Sequence, residues 1–167
     1  MKVAIAAVKG SIKGCRGATV VEFAMVLPLF LLLLFGIIEF GRYFFVQHTL
    51  QFATREGTRL ALVRGTLADA NGNPLSRTAS IIKQIKDNAS LAVNPAEISI
   101  SIFPITATYS DPVGWDAQQN AGVPGAYMRV RTRHTYKFLT PLIGNFFTGA
   151  ARTIQAEATY RNELFPG

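Results

Sequence analysis

Apolar positions along the chain fall into three patterns: one unbroken block, one stripe at helical spacing, and three stretches that alternate with polar residues. The block, Phe23 to Ile38 (FAMVLPLFLLLLFGII), carries no charge, and counted from Ala18 it covers 21 residues interrupted only by Glu22. About 20 apolar residues suffice to carry a helix across the hydrocarbon core of a bilayer. Leu31 to Leu34 leaves no polar face of the kind a buried helix of a soluble protein shows. The pattern therefore predicts a membrane span, bent at Pro28.

Helical periodicity continues beyond Ile38. Val46, Leu50, Ala53, Gly57 and Leu60 recur at spacings of four and three, while Glu56 and Arg59 form an i, i+3 pair on another face. Arg64 is placed to meet the negative end of the helix dipole, and Gly65 to end the helix as its C′ residue. One helix over 18–64 is about 70 Å long and reaches well past the bilayer. The small residues Ala53 and Gly57 allow close approach of another surface, either the chain's own outer domain, which we favour, or a second subunit.

Leu67 to Pro74 (LADANGNP) reads as a turn-rich linker. Ile81, Ile82, Ile85 and Ala89 then fall at helical spacing between Ser76 and Ser90, with Asn94-Pro95 as the stop. Three alternating segments follow. Glu97–Phe103 turns Ile98, Ile100 and Ile102 inward, and Tyr127–Phe138 turns in Met128, Val130, Thr132, His134, Tyr136 and Phe138. Arg152–Arg161 turns in Ile154, Ala156, Ala158 and Tyr160. The expected fold class is α+β: a long amino-terminal transmembrane helix, then a small domain with a helix packed on a three-stranded antiparallel sheet. Residues 1–17 precede the span as a flank, 18–64 form the long helix and 65–167 the outer domain. Residues 104–125, rich in Pro and Gly and containing Tyr109 and Trp115, form a loop of a length often tied to function.

Charge changes this picture at its amino end. The chain of 167 residues carries 17 Lys and Arg against 10 Asp and Glu, a formal +7. Residues 1–17 hold four of those bases, Lys2, Lys9, Lys13 and Arg16, and no acid. A basic flank before an apolar run also begins secretory signal peptides, but those end in a small-residue cleavage site. Here Glu39-Phe40-Gly41-Arg42-Tyr43 follows the run, which favours an uncleaved or differently cleaved anchor. The basic flank places the amino end inside and the outer domain outside.

Glu22 is the anomaly within the apolar stretch, since a carboxylate at mid-bilayer costs about 2.5–3.5 kcal/mol on insertion scales. Either it lies at the headgroup boundary, or it has a cationic partner. A cut between Gly17 and Ala18 would supply one, the new α-ammonium of Ala18 four residues away. Arg16-Gly17-Ala18-Thr19-Val20-Val21-Glu22-Phe23, then Pro28 and the leucine run, resembles the start of the TadE-like family of pseudopilins of the tight-adherence (Flp pilus) system. The similarity continues through Gly36–Arg42 and Thr54–Arg59. The resemblance implies a bacterial inner-membrane protein with a pilin-like outer domain, cleaved after Gly17 by a prepilin peptidase. It also implies that Glu22 is the assembly carboxylate, and that other pilins and assembly-platform proteins are the partners. Phe23 stands where major Flp prepilins have tyrosine, which favours the minor branch; so does the chain's length.

Catalytic, cofactor and metal sites are not expected. The single cysteine, Cys15, excludes a disulfide within the chain, and His48 and His134 read as interfacial and core residues. Asp111 and Asp116 lack EF-hand spacing and suggest Asx turns. Arg129, Arg131, Arg133 and Lys137 share one strand face. It could track phosphates, but a solvated face, with Glu157 pairing across it, is the expected role, followed by contact with a neighbouring pilus component. Loss of the leader's four bases would leave thirteen against ten acids, so most of the excess is a cytosolic flank rather than a sign of nucleic acid. The alternative function is an unprocessed, anchored envelope domain that binds a ligand or protein through loop 104–125, and a secreted soluble protein comes third.

Overall fold

The computed structural model describes residues 15–63 and 65–164 of the chain. Helix α1 (Cys15–Leu62) is followed by α2 (Arg77–Ala89), strand β1 (Ile98–Pro104), strand β2 (Tyr127–Lys137), the single turn α3 (Pro141–Gly144) and strand β3 (Ala151–Arg161). Packing divides the chain into a unit ending at Ile38 and a second beginning at Glu39, so the later part of α1 belongs with the α+β domain. Among the described residues the first unit contributes only helix. Its apolar side chains, among them Leu29, Phe30 and Leu33, are exposed, and α1 is long and apolar enough to cross a membrane.

In the second unit the three strands form an antiparallel sheet in the order β1-β2-β3, with Ile102 opposite Val130 and Val130 opposite Ala158. Period-two burial puts Ile98, Ile100, Ile102, Met128, Val130, Ile154, Ala156 and Tyr160 in one core with Val46, Leu50, Ala53 and Ala61 of α1 and Ile81 and Ile85 of α2. The α+β class and the alternating faces are as the sequence predicts. The fully buried Ile81, Ile85, Ile102 and Val130 each contribute about 1.5–3 kcal/mol by leaving water. Thr54, within the apolar stripe, satisfies its hydroxyl on Leu50 O and Thr132 Oγ1, both at 2.7 Å, and so joins α1 to β2.

The stripe on α1 serves the chain's own domain. A Cβ at Gly57 would lie 2.3 Å from Ile85 Cγ1, so the absent side chain is what lets α2 approach. Beyond Gly57 the buried edge passes through Thr58 to Ala61 rather than Leu60, as expected when 3.6 residues per turn meet a spacing of three. Arg77, at the start of α2, donates to Ala61 O at 2.7 Å and to Asn162 Oδ1 at 2.5 Å. Asn162 in turn donates to Ala121 O and Val123 O. One guanidinium and one amide thus fasten the ends of α1 and β3 and the loop between β1 and β2.

Element ends differ in detail from expectation. Arg64 lies outside the described residues, and Gly65 is not left-handed: its N–H donates to Leu60 O at 3.0 Å rather than Gly65 acting as C′. Ser76 and Ser90 cap α2, whose first-turn Ala79 N–H donates to the Ser76 hydroxyl. Asn94 does not stop that helix; it caps a 3₁₀ turn, Pro95–Glu97, that leads into β1.

The loop expected at 104–125 is the larger difference, because residues 105–126 pack against the sheet. Ile102 donates to Gln118 O and accepts from Asn120 N–H, both at 2.8 Å, which partly covers the exposed edge of β1. Trp115 lies 5.3 Å from Phe103 between ring centroids, with the Arg131 guanidinium 4.2 Å from its centroid. The arginine face is therefore covered: Asp111 pairs with Arg129 at 2.5 Å and Arg131 at 2.8 Å, and Asp116 pairs with Arg133. Arg131 also bonds Glu157 at 2.7 Å, the cross-strand pair the sequence indicates. The two aspartates thus serve as ion-pair partners in place of the Asx turns expected of them. That turn chemistry occurs instead at Asp69, whose Oδ1 accepts from Asn71 N–H and Asn73 N–H.

Candidate functional site

Gly17, Ala18, Glu22 and Phe23, the expected processing and assembly residues, all lie on α1 and all are exposed. The helix already includes Cys15, so the Gly17–Ala18 bond lies within its first turn and not before it. Glycine is the weakest helix former after proline, by about 1 kcal/mol relative to alanine. Gly17 is thus a locally weak point of the helix. Nothing lies within 4 Å of where a Gly17 Cβ would sit, so packing in the described chain does not require glycine there. Ala18 and Glu22 are one turn apart on the same helix face. Glu22 makes no ion pair among the described residues. Residues 1–14, with most of the expected leader, lie outside the described residues.

A second carboxylate on α1, which the sequence did not single out, has a complete set of donors. Glu39 is 1 % exposed. It accepts from Tyr136 Oη at 2.6 Å, Leu139 N–H at 3.1 Å, and Thr140 N–H and Oγ1, both at 2.9 Å. Arg42 stands 3.8 Å away. Burial acts to raise the Glu39 pKa, but the Tyr136 hydroxyl, the Leu139 amide and both Thr140 donors outweigh it and hold the carboxyl below its ordinary 4.5. Burial and the adjoining carboxylate push the Tyr136 phenol the other way, to about 12. Glu39 is therefore an ionised, hydrogen-bonded anchor for the turn after β2.

Beside that turn is an open cavity of about 280 Å³, lined by Phe40, Tyr43, Phe138, Phe147 and Arg152. Phe138 and Phe147 stack at 4.4 Å. His134 is buried with Nδ1 3.5 Å from Glu97 O, the geometry of a core histidine, and His48 is exposed. Among the described residues, no three His, Cys, Asp or Glu side chains gather in a group able to hold a metal.

No curated protein and no solved structure matches the chain. A family model does match, over the stretch that holds Gly17, Ala18, Glu22, the apolar run and Glu39: residues 17–59 carry the sequence signature of the TadE-like protein family.

Proposed function

We propose that the chain is a minor pilin or pseudopilin of the tight-adherence (Flp) pilus machinery, anchored by one span in the bacterial inner membrane. Its amino end is cytoplasmic, its α+β unit is extracytoplasmic, and a prepilin peptidase cuts between Gly17 and Ala18. The observation that carries this reading is the TadE-like match over residues 17–59, which begins at the glycine before the proposed cut and covers the apolar run. The exposed apolar surface of residues 18–38 adds to it, since such a surface needs lipid or other helices to cover it.

In this mechanism, cleavage creates an α-ammonium at Ala18, and Glu22 of an adjoining subunit neutralises it while apolar helix faces pack together. In low dielectric such a pair fixes register even where its net stabilisation is small. Other pilins and platform proteins are the partners, and no catalytic role is assigned to any residue. The alternative, a ligand held by loop 104–125, is less well supported, because Asp111, Trp115 and Asp116 are already engaged with β2.

Two measurements test this. Mass spectrometry of the protein from membranes is expected to find Ala18 as the first residue, and an intact Met1 end would exclude processing. Glu22→Ala is expected to abolish piliation while leaving membrane insertion intact. Normal pili in that variant would remove Glu22 from assembly.

A further inference from the structure

The turn between β2 and β3, residues 138–150 (FLTPLIGNFFTGA), contains no charged residue. Three of its large apolar side chains are left in the open: Leu139 is 72 % exposed, Leu142 55 % and Phe146 82 %. The domain folds without covering them, and loops are ordinarily polar where they meet water. Their location suggests what covers them. Leu139 N–H and Thr140 N–H lie 3.1 and 2.9 Å from the Glu39 carboxylate, and Glu39 directly follows Ile38, the last residue of the apolar run.

A residue at the end of a span sits at the boundary between acyl chains and headgroups. Atoms hydrogen-bonded to its side chain cannot be far from that level. The same neighbourhood supplies cations and aromatics: Arg152 shares its cavity with Phe40, Tyr43, Phe138 and Phe147, while Arg42 and Lys137 line another beside Tyr136. Aromatic rings are enriched at both membrane–water interfaces, and Lys or Arg at a bilayer surface is attracted to anionic headgroups.

We infer that the 138–150 turn is a membrane-docking element. Leu139, Leu142 and Phe146 seat in the headgroup–acyl boundary of an anionic bilayer, and Arg42, Lys137 and Arg152 face lipid phosphates. This rests on residues 18–38 being a membrane anchor. The docked turn in turn explains why Glu39 is held so completely: the carboxylate ties the turn to the residue that follows the apolar run.

The test uses the full chain with Cys15→Ser and one new cysteine at a time, Leu33→Cys, Val113→Cys or Phe146→Cys. Each is labelled with an environment-sensitive fluorophore and reconstituted into phosphatidylcholine–phosphatidylglycerol vesicles. Val113 is fully exposed on the far loop and serves as the aqueous reference. The label at 146 is expected to shift to the blue, to be quenched by nitroxide lipids and to lose quenching by iodide, all relative to the label at 113. Lipid quenching at 33 with water-like behaviour at 146 overturns the docking turn and leaves the anchor standing. Absence of lipid quenching at both 33 and 146 overturns both. Shielding from iodide at 146 without lipid quenching overturns docking in favour of a protein contact. Vesicles of phosphatidylcholine alone are expected to reduce the blue shift at 146, and an unchanged shift overturns the role given to the three cations.

Discussion

Glu39→Ala is expected to destabilise the outer unit by about 3–5 kcal/mol, the usual cost of removing one side of a buried charged network. The loss strands donors rather than merely deleting a contact. Tyr136 Oη, Leu139 N–H, Thr140 N–H and Thr140 Oγ1 all converge on the one carboxylate, and a buried donor left without an acceptor costs about 1–3 kcal/mol. For a domain of this size the melting temperature should fall by roughly 10–20 °C, read by near-ultraviolet circular dichroism on the full chain in detergent. A change of only a degree or two would show that the carboxylate does not hold the turn.

Acid should weaken the same anchor gradually. The folded-state pKa of Glu39 is below its ordinary 4.5, so between the two values the unfolded chain binds more protons than the folded one. Stability from this group is therefore complete above the ordinary value and declines as pH falls through the lower, folded one. Asp111 contributes a slope of the same sign: burial acts to raise its pKa, but Arg131 and Arg129 outweigh that and lower it. The Glu39 share is the difference between the parent chain and Glu39→Gln, which cannot titrate. The variant should be less stable at neutral pH, and the gap should narrow in acid. A constant gap down to strongly acid pH would remove the linkage.

What the sequence disclosed about this fold follows from range. Strand faces were legible because a half-buried strand repeats every two residues, and Ile98, Ile100, Ile102, Met128 and Val130 obey that spacing. The helix stripe from Val46 to Gly57 was legible for the corresponding reason. Gly57 could be marked as a point of close approach, though not as the seat of Ile85. Contacts made across a hundred residues leave no period. Glu39 interrupts the sequence where a signal peptide would carry small residues, which argues locally against cleavage and says nothing of its partners; its acceptor role depends on backbone N–H groups at 139 and 140. The cover over the arginine face was missed similarly. Phe103 falls on the outward register of β1, and Asp111, Trp115 and Asp116 complement Arg129, Arg131 and Arg133 in charge and shape. An aromatic on a supposedly solvated face was the available signal. At the amino end, the placement of Glu22 one helical turn after Ala18 was legible because one helix carries both.

Arg131→Met should release loop 105–126 from the sheet. Arg131 is 7 % exposed, bonded to both Asp111 and Glu157, and its guanidinium lies 4.2 Å from the Trp115 centroid. Methionine keeps much of the stem's volume but neither the planar donors nor the cation–π contact. Asp111 retains Arg129, and Glu157 is exposed enough to rehydrate, so the expected cost is about 2–3 kcal/mol, less than for a fully buried pair. Trp115 is the chain's single tryptophan, which makes the outcome directly visible. Its emission in Arg131→Met should shift to the red and become open to iodide while the far-ultraviolet circular dichroism of helix and sheet is retained. Glu157→Gln is the comparison, since it removes one ion pair without disturbing the arginine's place over the ring; its emission should stay near that of the parent chain. If Arg131→Met leaves Trp115 emission unchanged, the loop is held by Phe103 packing and the Ile102 backbone bonds alone, and the arginine is only a covered charge.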